Sequence, residues 1–106
     1  LLSLRTPAGT LHAHGPAHPT GTSLRLRVQA RDVSLALSRH DDSSLLNLLP
    51  ATLTDLEPLA GGQVQARLDA CGTPLLARIS HRSVERLQLR PGMPVWAQIK
   101  AVALLV

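Results

Sequence analysis

Two stretches of this chain alternate apolar and polar residues with a period of two, and this pattern constrains the fold more than any other feature. In SLRLRVQA, Leu24, Leu26, Val28 and Ala30 fall on one side, while Arg25, Arg27, Gln29 and the following Arg31 fall on the other. In the second stretch Val64, Ala66, Leu68 and Ala70 alternate with Gln65, Arg67 and Asp69. Successive side chains of a strand point to opposite faces of a sheet, so each stretch reads as a strand with one buried and one wet face.

Proline and glycine punctuate the rest of the chain into similar short pieces. Leu2 to Arg5 and Thr10 to Ala13 read as a hairpin, VSLAL as a further strand, and RHDDSS as a polar turn marking a subdomain boundary. Leu45 to Glu57 reads as a long strand bent at Pro50. Gly61 and Gly62 supply a turn, and CGTP turns the chain into a strand from Leu75 to Ile79. At Ser80 the period changes: a serine before polar residues, with Val84 and Leu87 three apart, predicts an N-cap and one or two helical turns, sealed against the core by Leu89. Arg90, Pro91 and Gly92 form the exit, and Pro94 to Leu105 the last strand region. The expectation is an all-β fold with one short helix, a small OB-like β-barrel with an additional N-terminal β segment. Residues 1–41 form that segment and 42–106 the barrel domain.

A chain of 106 residues can bury only a modest core. With no Phe or Tyr and a single Trp, that core must be aliphatic. The net charge of +4 comes almost wholly from arginine. Single-stranded nucleic-acid platforms stack bases on aromatic rings, and a chain offering only Trp96 is poorly made for one, so nucleic acid is not an expected partner. Cys71 is the single cysteine, which excludes an intrachain disulfide, favours a reducing compartment and suggests a small packed apolar residue. No apolar run approaches the ~20 residues of a membrane span, and no signal-peptide pattern opens the chain. Because it begins with Leu, a piece of a longer protein is expected.

The final strand region is apolar on both faces. Val95, Ala97, Ile99, Ala101 and Ala103 share one face, while the other runs Trp96, Gln98, Lys100, Val102, Leu104. A strand of this kind is covered on both sides. The chain has little left to cover the second face, which points to a homo-oligomeric interface near Lys100. Lys100 is the single lysine among the arginines, and its compact ammonium suits a small oxyanion; a plain reading is an amphipathic lysine snorkelling at a strand end.

SSLLN (43–47), LLARISHRS (75–83) and LQLRPGMPVWAQIKAV (87–102) follow in an order and spacing that resemble the molybdate-binding Mop, or TOBE, domain, from Ser43 to the end. Upstream, LRLRVQARDVSLAL is similar to the segment preceding this domain in the ATP-binding subunit of molybdate ABC transporters. The resemblance implies a regulatory domain that pairs with its twin, most simply as a dimer, and binds molybdate or tungstate between protomers. By the same resemblance the oxyanion ligands are Ser44, Ser80, Ser83 and Lys100, with Ser43 beside the site and Asn47 closing the first motif. Serine hydroxyls, amides at a helix start and an ammonium are all donors, and a fully deprotonated tetrahedral dianion needs donors only, whereas hydrogen phosphate also needs an acceptor. The intact protein would then be a transporting ATPase, cytoplasmic and peripheral to the inner membrane through its permease subunits. Leu46 departs from the family, which commonly has a basic or small residue there. Two alternatives follow: a dimerisation module that has lost its ligand, and a free-standing molybdate storage protein.

Other chemistry fits less well. His12, His14 and His18 form HxHxxxH, but among glycine and prolines and without a clear fourth ligand they make a poor metal site. His40, Asp41, Asp42 and Ser44 have the residue types of a hydrolytic triad, yet neighbours in a turn rarely point at one another and no nucleophile elbow surrounds either serine. No GxxxxGK loop is present, so no ATP site and no catalytic residue is expected in this segment.

Overall fold

The computed structural model describes residues 2–13, 21, 25–39 and 47–105. Its spine is a twelve-residue strand, β5 (Asn47–Pro58), whose first half sends Asn47, Leu49, Ala51 and Leu53 inward in strict alternation. Two neighbours hold different halves of β5. β8 (Pro94–Ile99) pairs from Asn47↔Ile99 to Thr52↔Pro94, and β6 (Gln63–Ala70) from Thr52↔Asp69 to Pro58↔Val64, both antiparallel. With β7 (Thr73–Ser80) beside β6 and β4 (Val33–Ala36) beside β8, the order is β4-β8-β5-β6-β7.

The stagger between the two halves curls the sheet until its edge strands β4 and β7 approach each other, with the 3-10 turn Ala30–Asp32 also against β7. The result is the curled antiparallel half-barrel of an OB-like fold, and among the described residues α1 (His81–Leu87) is its one α-helix. The core is aliphatic. Ala66, Ala70, Ala77 and Ala97 are fully buried, as are Leu53 and Ile99.

The bend of β5 falls at Thr54 instead of Pro50. The register slips one residue between Leu53↔Leu68 and Asp55↔Arg67, a bulge of the kind that bends a strand, and the Thr54 hydroxyl donates to the Arg67 carbonyl at 3.0 Å. Pro50 stays in register opposite Trp96. The reason is parity: Leu53 donates its amide to Met93 on the β8 side, so the missing N–H of Pro50, an odd step away, points to the opposite edge, beyond the end of β6.

The hairpin between β6 and β7 turns on Cys71 and Gly72, both at positive φ (52° and 92°), with Asp69 Oδ1 accepting from the Gly72 amide at 2.7 Å. Cys71 is exposed at this tip and does not pack as a core residue; the turn geometry, not hydropathy, places it. At the other end of β7, Ser80 caps α1 and Gln88 closes it in the left-handed region. Leu89 is then buried, and the exit turn is tied to the bulge by Gly92 N–H to Leu53 O at 2.6 Å.

The last strand region breaks at Lys100. There the backbone amide donates to Asp32 O at 2.7 Å, Ala101 is exposed, and a separate β9 (Ala103–Leu105) pairs with β3 (Arg25–Arg27). The alternation expected to run on to Ala103 therefore stops at Ile99, because the turn Ala30–Asp32 takes the next ladder position. A hairpin of β1 (Leu2–Thr6) and β2 (Gly9–Ala13) packs on the start of β5, with Leu11 joining the core. The sequence division at 41/42 separates segments of chain, whereas β4 from the first segment is an edge strand of the same sheet.

Candidate oxyanion site

Ser80 sits where β7 becomes α1, and its position follows from its side chain. In extended conformation (φ −79°, ψ 150°) its Oγ accepts from the Ser83 amide at 3.1 Å, meeting one of the helix's otherwise orphaned donors. The two hydroxyls are also 2.9 Å apart, with either as donor. Because Ser80 Oγ already accepts from an amide, its proton is free to donate. The pair is therefore a half-buried relay that can present at least one O–H outward. Exposed His81 and Glu85 flank it, 3.4 Å apart on one helix face; their i, i+4 spacing was visible in the sequence.

Lys100 lies just beyond the Asn47–Ile99 and Val33–Ile99 pairs, at the end of β8 where β5 begins. Its side chain is exposed, as a snorkelling lysine would be, while its backbone is fixed by Asp32. Along the ladder, Lys100 and the Ser80–Ser83 pair belong to opposite ends of β5, since Ser80 pairs with Gln63, next to the Pro58–Val64 step. The curl of the sheet sets the Ala30–Asp32 turn, which holds the Lys100 amide, against β7, the strand that ends at Ser80.

Asn47, expected to close the anion motif, is buried at the start of β5, and its carboxamide is engaged by the main chain of His12. Oδ1 accepts from the His12 amide at 2.6 Å and Nδ2 donates to its carbonyl at 3.0 Å. Nothing in the local sequence signals this partner, 35 residues away. Ser43 and Ser44 lie outside the described residues, as do Leu46, His14, His18, His40, Asp41 and Asp42. His12 itself lies in β2 with Nδ1 3.3 Å from the Ser3 hydroxyl, and among the described residues no group of three His, Cys, Asp or Glu gathers to hold a metal.

The outer face of β8 carries a feature that sequence reading missed. Trp96 is half-buried, with the Arg39 guanidinium 5.4 Å from its ring centroid, and Leu37 nearby in sequence is half exposed. This is the second apolar face read from the sequence, capped in part by a cation over the ring.

Residues 43–106 match the model of the TOBE domain. The chain belongs to the TOBE domain family. Its similarity extends upstream of that match: it is 54% identical over 107 residues to the molybdenum import ATP-binding protein ModC 1 of Azotobacter vinelandii, covering 99% of this chain and 29% of that protein. The corresponding proteins of Bordetella parapertussis and Pseudomonas aeruginosa are 51% and 50% identical, again over 99% of this chain and 29% and 30% of their own length. The chain thus spans less than a third of these relatives. Among solved structures, it is similar to the cytoplasmic molybdate-binding protein ModG crystallised with molybdate bound, at TM-score 0.69 and 29% identity over 76% of this chain and 60% of that one. The TOBE match begins after β4, yet β4 completes the sheet, and the longer similarity to the import proteins includes it.

Proposed function

We propose that this TOBE domain is the oxyanion-sensing and dimerisation part of a molybdate import ATPase, binding molybdate or tungstate between two copies of the chain. The observation that carries the reading is the 54% identity, across 99% of the chain, to a molybdenum import ATP-binding protein. The likeness to ModG with molybdate bound supports the ligand class. The chemistry agrees with an anion: the Ser80–Ser83 pair can donate an O–H and Lys100 supplies an ammonium. Ser43 and Ser44 would complete the cage.

In this reading two copies meet through the second face of β8, so that donors from opposite ends of the sheet converge on one ion. The longer protein would hydrolyse ATP and work with permease subunits at the cytoplasmic side of the inner membrane, its ATPase sites held apart when the ion is abundant. Among the described residues no helix is long and apolar enough to cross a membrane. Isothermal titration with molybdate, tungstate, sulfate and phosphate, beside light scattering on a sizing column, tests the proposal. Heat with the first two only, from a dimer, is the expected result. A second reading, a dimerisation module without ligand, draws support from Leu46 and from the engagement of Asn47 with His12. A dimer that gives no heat with any of the four anions would establish it.

A further inference from the structure

On the half of the sheet built from β5, β6 and β7, exposed residues stand in two rows across the outer face. Strand pairing sets Thr52, Asp69 and Pro74 side by side in one row, and Asp55, Arg67 and Leu76 in the next. Successive residues on one face of a strand are about 7 Å apart, so the rows are contiguous. At the Thr54 bulge they border an open depression of about 420 Å³ whose lining includes Thr54, Arg67, Asp69, Gly72, Pro74 and Leu76. Leu76, 38% exposed, leaves a large apolar side chain in water beside it. Arg67 leans away from Asp69, its Nη2 4.0 Å from Glu57 in the row beyond, and both partners are half exposed, so that pair is screened. Asp69 accepts the Gly72 amide through Oδ1 at 2.7 Å, which leaves Oδ2 for a donor from outside.

We propose that this face is a second contact between copies of the chain, distinct from the β8 face, in which the two rows exchange about a two-fold axis lying between them. Such an axis, parallel to the rows, lays each row on the other row of the partner. Arg67 then faces the partner's Asp69, Leu76 meets the partner's Pro74 and enters the depression, and Asp55 meets the hydroxyl of the partner's Thr52. A two-fold contact is isologous, so each of these pairings occurs twice. An axis along the strands would instead set each Arg67 and each Asp69 on its own counterpart, which like charge opposes. Fewer residues take part than the roughly 20–30 a side of a standard interface, so the contact is weak alone and adds to a dimer formed elsewhere. A chain with two isologous faces assembles past the dimer, closing as a tetramer when the two axes are perpendicular. The contact uses no oxyanion and stands apart from the sensing reading.

Sedimentation equilibrium of this chain from about 10 µM to about 1 mM, a range that reaches weak association, tests the contact. The wild type is expected to approach twice its dilute mass. Arg67→Asp, which sets acid against acid twice, should weaken that step by about tenfold or more, and Asp69→Arg likewise. The double variant restores both pairs with their signs exchanged and should associate nearly as the wild type does. The axis that lays Arg67 on the partner's Asp69 also lays Gln65 on the partner's Cys71. A spin label on Cys71, mixed with an isotope-labelled Cys71→Ser chain, should therefore broaden the Gln65 amide signal of the labelled copy. A wild type whose mass does not rise overturns the proposal, as does a rise that Arg67→Asp leaves unchanged or one without broadening at Gln65. Because Asp69 also holds the hairpin turn, Leu76→Asp replaces any charge variant that melts low: association kept in it overturns the contact, and association lost supports it. The step is expected from dimer to tetramer. A step from monomer to dimer that follows the same charge exchange keeps this contact and removes the β8 pairing.

Discussion

Replacing Ser80 by glycine separates its two roles, because a helix cap and an anion donor respond differently to loss of the hydroxyl. As a cap, Ser80 satisfies the Ser83 amide at 3.1 Å. Substituting alanine at an N-cap costs typically about 1 kcal/mol, whereas glycine costs only a few tenths, since it leaves the helix start open to water and tolerates the extended backbone. In a domain of this size 1 kcal/mol moves Tm by roughly 4–8 °C, so Ser80→Ala should melt several degrees low and Ser80→Gly about one or two. As a donor, the hydroxyl contributes a hydrogen bond to a charged group, about 1.5–3 kcal/mol, offset by up to ~1.5 kcal/mol if the 2.9 Å bond to Ser83 Oγ must open first. Taking about 2 kcal/mol for the charged bond and about 1 kcal/mol for the bond to Ser83, the net is about 1 kcal/mol if that bond opens and about 2 kcal/mol if it does not, a loss of about five- to thirtyfold in molybdate affinity that should be the same in both variants. Calorimetry beside a thermal melt reads both quantities. A Ser80→Gly protein that melts near wild type and binds molybdate as tightly as wild type would show that the hydroxyl is a cap and nothing more.

Lys100→Ala is expected to keep the oligomeric state and the fold, since only its backbone amide bonds to Asp32, while molybdate affinity drops about tenfold or more; sizing and calorimetry check it. Leu53→Ala removes a fully buried side chain at the bulge and should cost about 3–5 kcal/mol in urea unfolding, with a loss under 1 kcal/mol refuting the core described for β5. Gln88 closes α1 at φ 52°, where a non-glycine residue is strained, so Gln88→Gly should raise stability by about 1 kcal/mol in the same assay. Cys71, exposed at the hairpin tip, should react fully with a thiol reagent in the native protein, whereas a packed cysteine would react only on unfolding.

Much of the ladder was legible one residue at a time. The alternation over residues 64–70 places Val64, Ala66, Leu68 and Ala70 inside because a strand's period is a property of the backbone. Ser80 as a cap, the Gly61–Gly62 turn and Leu89 as the seal follow from equally local rules. The motifs SSLLN, LLARISHRS and LQLRPGMPVWAQIKAV carried the family, because a run of short patterns in order survives where no single residue is decisive.

Other features belong to the folded chain alone. Whether Pro50 bends its strand depends on which neighbour its missing N–H faces, and that parity is set by pairing with residues more than forty positions later. The break at Lys100 exists because Asp32, far upstream, takes its amide, and Asn47 is held by His12 across a separation of 35 residues. Local sequence decides which side of a strand a residue faces and where a helix starts, since those depend on neighbours along the chain. Which group meets a given donor or acceptor is decided only when the curled sheet brings remote segments within hydrogen-bond reach.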